Sequence, residues 1–248
     1  MPITSNITRN DIDKLWYGQV EDSKVQFKLI EKFKTENLIN SLIIDVGGGV
    51  GGALSHFDES NDRVLLDYSE QHLNYATSMN IRAIKGGLES FEQKADVVIL
   101  SHVIEHWNDF QEQIKSLVKI QKIRKTLNYI EFPGVDSLKE GRRGGDLLGD
   151  IHIPHFYYFS MCVFENLMNR NGFEKIYMDS EIRAVFIYTG IRSDVVNHYE
   201  TVVKDLRKAE ITRRRIILRN LLLPESIKPF LRLSRDYLYK KYQKKGSF

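Results

Sequence analysis

One cysteine, Cys162, is all this 248-residue chain contains, so no internal disulfide is open to it. A single thiol among apolar neighbours reads as a packed side chain rather than a nucleophile. No stretch approaches the roughly 18 consecutive apolar residues of a membrane span, and the polar first ten residues hold no signal-peptide core. A reducing, cytoplasmic setting is therefore expected. Internal repeats and low-complexity segments are missing as well. What remains, 42% hydrophobic and 28% charged residues, suits an ordinary globular protein with a sizeable core.

The net charge of +3 conceals an asymmetry. Residues 201–248 carry 14 Lys and Arg against 4 Asp and Glu, a net of +10, which leaves the preceding residues at −7. Within that segment Ile216, Ile217, Leu218, Leu221, Leu222 and Leu223 sit beside Arg213, Arg214, Arg215 and Arg219. Beyond Pro224, Ile227, Phe230, Leu231 and Leu238 recur near helical spacing. The expected domain organisation is residues 1–192 as one domain and 193–248 as a basic amphipathic helical tail. Such a helix rests on an anionic membrane surface, at the inner membrane face for a cytoplasmic protein, or packs on its own domain or a homodimer partner.

Short apolar runs alternate with helical periodicity through the body. Strands are expected at 42–45, 63–67, 81–84, 96–100 and 127–132, with two more near 174–178 and 183–188 forming a hairpin. Residues 11–35 predict one or two helices lying over the sheet edge or the glycine loop after the first strand. Residues 69–79 predict a helix capped by Ser69, and Ser160 is expected to cap another that stops at Gly172. The sum is an α/β fold: a doubly wound, mostly parallel, Rossmann-like seven-stranded sheet with N-terminal helices. From 135 to 154 the pattern lapses into a charged, glycine-rich loop containing Arg142, Arg143, Asp146 and Asp150, long enough to be a binding loop or lid.

Residues 42–52 read Leu-Ile-Ile-Asp-Val-Gly-Gly-Gly-Val-Gly-Gly. A buried strand that breaks into glycines, then a helix, brings backbone close to a ligand, because glycine lacks a Cβ and accepts positive φ. Gly47, Gly49 and Gly52 satisfy Gly-x-Gly-x-x-Gly, and Asp67 ends the second strand, where an acid accepts the hydroxyls of a ribose. Alone, these fit NAD or any adenosyl cofactor. Asp45, two residues before the first glycine, adds a carboxylate that can accept from a ligand ammonium, which NAD lacks and S-adenosyl-L-methionine has.

With Gly51 the segment becomes Asp-x-Gly-x-Gly-x-Gly, which resembles the first motif of the class I S-adenosylmethionine-dependent methyltransferases. Residues 96–106, Asp-Val-Val-Ile-Leu-Ser-His-Val-Ile-Glu-His, are similar to that family's post-strand motif. His155-Phe-Tyr-Tyr-Phe-Ser160, with a helix and Asn171-Gly172-Phe173, looks like its late segment. The resemblance spans roughly residues 40–190. It implies that the backbone from Gly47 to Gly51, with Asp45, cradles the methionine portion, that Asp67 holds the ribose and Tyr68 packs on the adenine, that Gly87 and Leu88 pass the adenine edge, and that Ser101, His102 and Glu105 border the cofactor. The acid often found at the position of Gly87 is missing, with Glu89 nearby, and so is the usual Pro-Gly-Gly before the fifth strand.

A hydroxyl acceptor needs a base, and His106, His152 and His155 lie at the ends of the fourth and fifth strands, beside the crevice of such a sheet. Each also has a structural role open to it, as a cap or a packed ring. His152-x-x-His155 has no carboxylate at a spacing that completes a ligand set, so no metal is expected. Trp16 and Trp107 read as core or lid aromatics. The expected activity is methyl transfer from S-adenosyl-L-methionine to a hydroxyl of a small molecule or glycan, lipid-linked or phosphorylated, as in surface-polysaccharide pathways. An NAD-dependent oxidoreductase shares the glycine fingerprint, and a non-catalytic membrane-associated subunit is a third reading. Nucleic acid is disfavoured as a partner because residues 101–104 lack an Asn/Asp-Pro-Pro-aromatic motif and no aromatic-basic module is visible.

Overall fold

Short apolar runs covered by helices on both faces form the central strands here, and the edge strands Arg82–Lys85 and Phe173–Met178 are more exposed. The computed structural model describes residues 8–34, 38–138, 148, 151 and 154–222. Strands β1 (Leu42–Val46), β2 (Asp62–Asp67), β3 (Arg82–Lys85), β4 (Val97–Ser101), β5 (Leu127–Glu131), β6 (Phe173–Met178) and β7 (Arg183–Tyr188) form one sheet in the order β3-β2-β1-β4-β5-β7-β6. The first five are mutually parallel, and β7 runs antiparallel to both β5 and β6. This is the doubly wound, seven-stranded α/β sheet the sequence predicts, including the β6–β7 hairpin.

Side-chain alternation divides the core into two layers. Ile44, Val46, Val64, Leu66, Val98, Leu100 and Ile130 pack with Phe110, Ile114 and Leu117 of α4 (Phe110–Lys119) and Phe164 and Met168 of α5 (Met161–Arg170). On the other face Ile43, Leu65, Val97, Ile99 and Tyr129 pack with Ile12 and Trp16 of α1 (Arg9–Asp22), Ile30 of α2 (Lys24–Phe33), and Leu73 and Ala76 of α3 (Glu70–Ser78). Each large apolar side chain fully buried in these layers contributes about 1.5–3 kcal/mol. Both tryptophans are buried, whereas Cys162 is half-buried on α5.

Caps set the helix boundaries. Thr8 and Asp11 form a reciprocal capping box at α1, Ser69 accepts from the His72 amide at α3, and Asp109 accepts from the Glu112 amide at α4. Two expectations need correction. The glycine loop is followed by a 3-10 turn (Gly52–His56) instead of an α-helix, and α1 lies directly against it: a Cβ on Gly52 would stand 2.5 Å from Gln19 Cβ and 3.1 Å from the Trp16 carbonyl oxygen. The N-terminal helices therefore do cover the loop. Ser160 makes no side-chain cap on α5; the Met161 amide instead donates to Asp136 Oδ2 at 2.6 Å, from the 3-10 turn Val135–Leu138 after β5.

Arg142, Arg143, Asp146, Asp150 and His152 lie outside the described residues, as does the chain beyond Leu222, including Leu223, Pro224, Ile227, Phe230, Leu231 and Leu238. The last described helix, α6 (Tyr199–Leu222), exposes Ile211, Ile217, Leu218 and Leu222. Among the described residues no helix is long and apolar enough to cross a membrane.

The borrowed cap is testable. Asp136→Ala should lower the unfolding free energy by about 1 kcal/mol, read from the urea midpoint, while Ser160→Ala should move it less. The reverse ranking would return the cap to Ser160.

Candidate active site

In a sheet ordered 3-2-1-4-5 the chain reverses direction of winding between β1 and β4, and the loops leaving the carboxyl ends of these strands open a crevice. All the described residues expected at the site except His155 lie at those ends, and His152 is outside the described residues. The glycine loop leaves β1, Asp67 ends β2, Gly87 and Leu88 follow β3, and Ser101 to His106 leave β4.

Gly47, Gly49 and Gly51 adopt φ of +64°, +59° and +84°, a region in which a side chain is strained. The Gly47 amide donates to the Leu66 carbonyl at 2.6 Å and the Gly49 amide to Asp67 Oδ2 at 3.0 Å, so β2 holds the loop on both backbone and side chain. Asp67 Oδ1 accepts from the Ser69 amide at 2.8 Å. A carboxylate offers about four lone-pair positions, which leaves this one capacity for a ligand. Gln19 of α1 closes the far side, its Oε1 accepting from the Gly52 amide at 3.1 Å.

Asp45 is 2% exposed, and Gly48 passes directly over its carboxyl group: a Cβ at that position would overlap the carboxylate. Burial, reinforced by the charge of Asp67, pushes the Asp45 carboxyl up to about 7. Gly48 is thus as constrained as its three neighbours, by contact rather than by φ, and the glycine spacing alone gave no sign of it.

Tyr68 is 68% exposed, with its ring at the surface beside the loop. Its hydroxyl donates to Glu89 Oε1 at 2.7 Å, which also accepts from the Gly87 amide at 2.8 Å, and the bond to Glu89 holds the phenol above its usual value. Glu89 therefore braces the turn that Gly87 occupies. The Leu88 side chain is 1% exposed and belongs to the core, so only its backbone faces the turn.

Beyond β4 the geometry is set by one extra ladder bond. Ser101 pairs with Glu131 in register, and the His102 amide donates to the Glu131 carbonyl at 2.7 Å with His102 at φ +55°. That reversal turns Val103 onto the glycine loop, where a Cβ on Gly47 would meet Val103 Cγ2 at 3.0 Å. It also sends Glu105 inward: the side chain is 1% exposed, with Oε1 3.3 Å from His102 Nδ1 and Oε2 buried without a hydrogen-bond partner among the described residues. His106 is exposed and donates from Nδ1 to the Pro154 carbonyl at 3.0 Å, and the Phe156 amide donates to the Glu105 carbonyl at 2.8 Å. Residues 154–156 are thereby fastened to the β4 loop, and the His155 ring stands edge-on to His106 at 4.8 Å.

Two of the three candidate bases, His106 and His155, are brought together, and Glu105 joins them from the same turn; His152 lies outside the described residues. The sequence reading missed Gln26. From α2 its Nε2 donates to Ser101 Oγ at 2.9 Å beside Glu131, which accepts from the Tyr129 hydroxyl at 2.8 Å. No motif marks a glutamine on an amphipathic helix, so only its spatial neighbours could reveal it. A separate cavity of about 560 Å³, lined by Phe110, Tyr157, Phe159, Leu167, Arg170 and residues 195–199, shares no lining residue with these loops.

The buried acid makes stability pH-dependent. Because its folded pKa lies above its unfolded value, the folded protein retains a proton that the unfolded chain releases, and stability falls as pH rises from about 4 to about 7. The loss should amount to a few kcal/mol on the order of the shift. Asp45→Asn should flatten that limb, as judged by urea midpoints of the ligand-free protein at pH 5 and pH 8; an unchanged slope would assign the limb to other groups.

A profile described as a methyltransferase domain matches residues 22–177. No curated protein matches. Among solved structures, the chain is similar to a Haloferax volcanii methyltransferase solved with the Trm112 methyltransferase activator (15% identity, TM-score 0.54, covering 83% of this chain and 90% of that one). It is also similar to the PH0226 protein of Pyrococcus horikoshii (20%, 0.50, 76% and 95%) and to magnesium protoporphyrin IX methyltransferase of Synechocystis with bound SAH (18%, 0.48, 74% and 87%). The profile match covers more than half of the chain, and with the strand order and glycine loop it shows that this protein belongs to the methyltransferase-domain family, the class I enzymes whose methyl donor is S-adenosylmethionine.

Proposed function

We propose that this methyltransferase transfers the methyl group of S-adenosylmethionine to a hydroxyl of a small molecule or glycan. The observation that supports the reading is the gathering of Glu105, His106 and His155 around the turn after β4, whose Val103 lies against Gly47 of the glycine loop. A nitrogen acceptor in its neutral form needs no such proton-accepting group, whereas a hydroxyl does.

In this reading the Asp45 carboxylate and the loop from Gly47 to Gly51 receive the amino-acid end of the cofactor, Asp67 the ribose hydroxyls, and the exposed Tyr68 ring the adenine. The Gly87 and Leu88 backbone follows the adenine edge, and Ser101, His102 and Glu105 line the wall toward the acceptor. The acceptor oxygen attacks the methyl carbon in line with the sulfur. The O–CH3 bond forms as the S–CH3 bond breaks, its electron pair goes to sulfur, and the acceptor proton leaves toward the His106–His155 pair. Alignment supplies several kcal/mol of the barrier reduction, about 7–11 at the most favourable.

The tail suits an anionic setting for the acceptor, such as a phosphorylated or lipid-linked glycan of a surface polysaccharide. Exposed Ile211, Ile217, Leu218 and Leu222 share α6 with Arg213, Arg214 and Arg215, a combination that fits binding at an anionic membrane face, while residues 193–196 stay hydrogen-bonded to α5.

Three measurements test the reading. Asp67→Asn, which keeps the shape of the side chain, should weaken S-adenosylmethionine at least about tenfold by calorimetry; unchanged affinity, or tight binding of NADH in its place, would remove the site assignment. With a hydroxyl acceptor found by screening, His155→Ala should cut kcat by about 10²–10⁴ while cofactor affinity stays within about twofold. Full turnover would dismiss His155. The full chain should sediment with phosphatidylserine vesicles and lose that property when residues 201–248 are deleted; equal sedimentation of both would assign the tail elsewhere.

A further inference from the structure

Glu105, His106 and His155 each offer one ligating atom, and these three atoms lie within 4.8 Å of one another. From that juxtaposition we propose that the three side chains form a binding site for a divalent transition-metal cation, set where the methyl acceptor enters. The proposal rests on the functional reading above for the cation's use, and on geometry alone for its binding.

Four features carry it. First, the Glu105 carboxylate is almost wholly buried, and Oε2 has no hydrogen-bond partner among the described residues. A buried polar atom left unpaired is costly and rare, and it calls for an explanation; a bound cation is one that makes use of the anionic charge. Second, the His106 tautomer is fixed. Its Nδ1 donates to the Pro154 carbonyl at 3.0 Å, so Nε2 carries the lone pair, which is the outer-partner arrangement that orients metal-binding imidazoles.

Third, the backbone anchors the distant ligand. The Phe156 amide donates to the Glu105 carbonyl at 2.8 Å, so the residue next to His155 is tied to the residue that supplies the carboxylate. Fourth, His102 Nδ1 stands 3.3 Å from Glu105 Oε1 and steadies the carboxylate from the solvent side. Ligands of a cation at about 2.0–2.2 Å stand about 3–3.5 Å apart. With His106 held by Pro154, adjustment of the half-buried His155 ring and the Glu105 carboxylate closes the difference from 4.8 Å.

Donor type selects the ion. Two imidazoles and one carboxylate suit Zn²⁺, Mn²⁺, Fe²⁺ or Co²⁺, whereas Mg²⁺ and Ca²⁺ prefer all-oxygen sets. Three protein ligands leave positions open for water or for the acceptor hydroxyl. A hydroxyl bound there gives up its proton more readily, by the same charge effect that lowers the pKa of metal-bound water. With a cation bound, the two imidazole lone pairs are taken up as ligands and the proton passes to water at the mouth; the base role given to His106 and His155 above belongs to the cation-free protein. The sequence alone offers no carboxylate at a fixed spacing from His152 and His155; the fold brings Glu105 of the β4 loop beside His155 instead.

The test uses the untagged full chain, dialysed against chelator and titrated with Co²⁺ by calorimetry and visible absorption. One equivalent should bind, with absorption stronger than that of the hexaaqua ion, and Zn²⁺ should displace it while millimolar Mg²⁺ does not. His155→Ala and His106→Ala should each weaken Co²⁺ at least about 100-fold, since even loss of an outer partner costs 10–100-fold, while His198→Ala, outside the cluster, should bind as the parent does. Far-ultraviolet circular dichroism confirms that each variant folds, and His155→Gln serves if His155→Ala does not. No Co²⁺ binding below about 1 mM, displacement by Mg²⁺, or binding that survives both histidine substitutions would overturn the proposal. S-adenosylmethionine affinity measured on the same samples separates the outcomes: cofactor binding without Co²⁺ binding removes the metal site alone, and Co²⁺ binding without cofactor binding removes the functional reading alone.

Discussion

Everything at the carboxyl edge of the sheet is arranged around one buried carboxylate. Asp45 lies near the end of β1 between two parallel neighbours, with only 2% of its surface exposed. Gly48 seals it from above and Asp67 adds a second negative charge close by, which together push its carboxyl up to about 7. The ligand-free fold therefore carries an unfavourable electrostatic term in its own crevice. A cationic ligand relieves that term, and the cofactor of this family carries an ammonium and a sulfonium. The same constraint acts on the loop at one position: with the carboxylate beneath it, residue 48 can carry no Cβ.

A second polar network does for the acceptor side what Asp67 does for the donor side. Gln26 spans from α2 to the ends of β4 and β5, where Ser101, Glu131 and Tyr129 meet. The His102 amide bond to Glu131 then prolongs the β4–β5 ladder by one residue and forces the left-handed turn that points Val103 at Gly47 and Glu105 into the protein. One strand end thus orients the contact with the cofactor loop and the buried acid of the acceptor cluster. Displacing it would disturb both, since the two contacts are only a few residues apart on the chain.

How much of this the sequence made legible depends on whether the relevant forces act locally. The seven strands were readable because a central parallel strand is buried on both faces and appears as an unbroken apolar run, as Ile43, Ile44 and Val46 do. Asp45, Asp67 and the three positive-φ glycines were readable because a tight turn restricts residue type at fixed spacing. The 3-10 turn after Gly52 was not, since α1 lies against it and no local pattern encodes that approach. Nor was the Asp136 cap on α5, which reaches across 25 positions to a helix whose own Ser160 looks adequate.

The acceptor cluster shows the same limit in a functional setting. Glu105 and His106 are adjacent, yet their partner His155 comes from a segment whose register is set by two hydrogen bonds to the β4 turn, from the Phe156 amide and to the Pro154 carbonyl. A donor site assembled within single strand-to-loop turns is bound to look alike wherever the same cofactor is used. An acceptor site assembled from distant segments is free to change with the substrate while the sheet stays fixed. That difference in assembly explains why the residues of this chain speak plainly for the methyl donor, whereas the chemistry facing the acceptor emerges only once Glu105 and His155 are seen on the same wall.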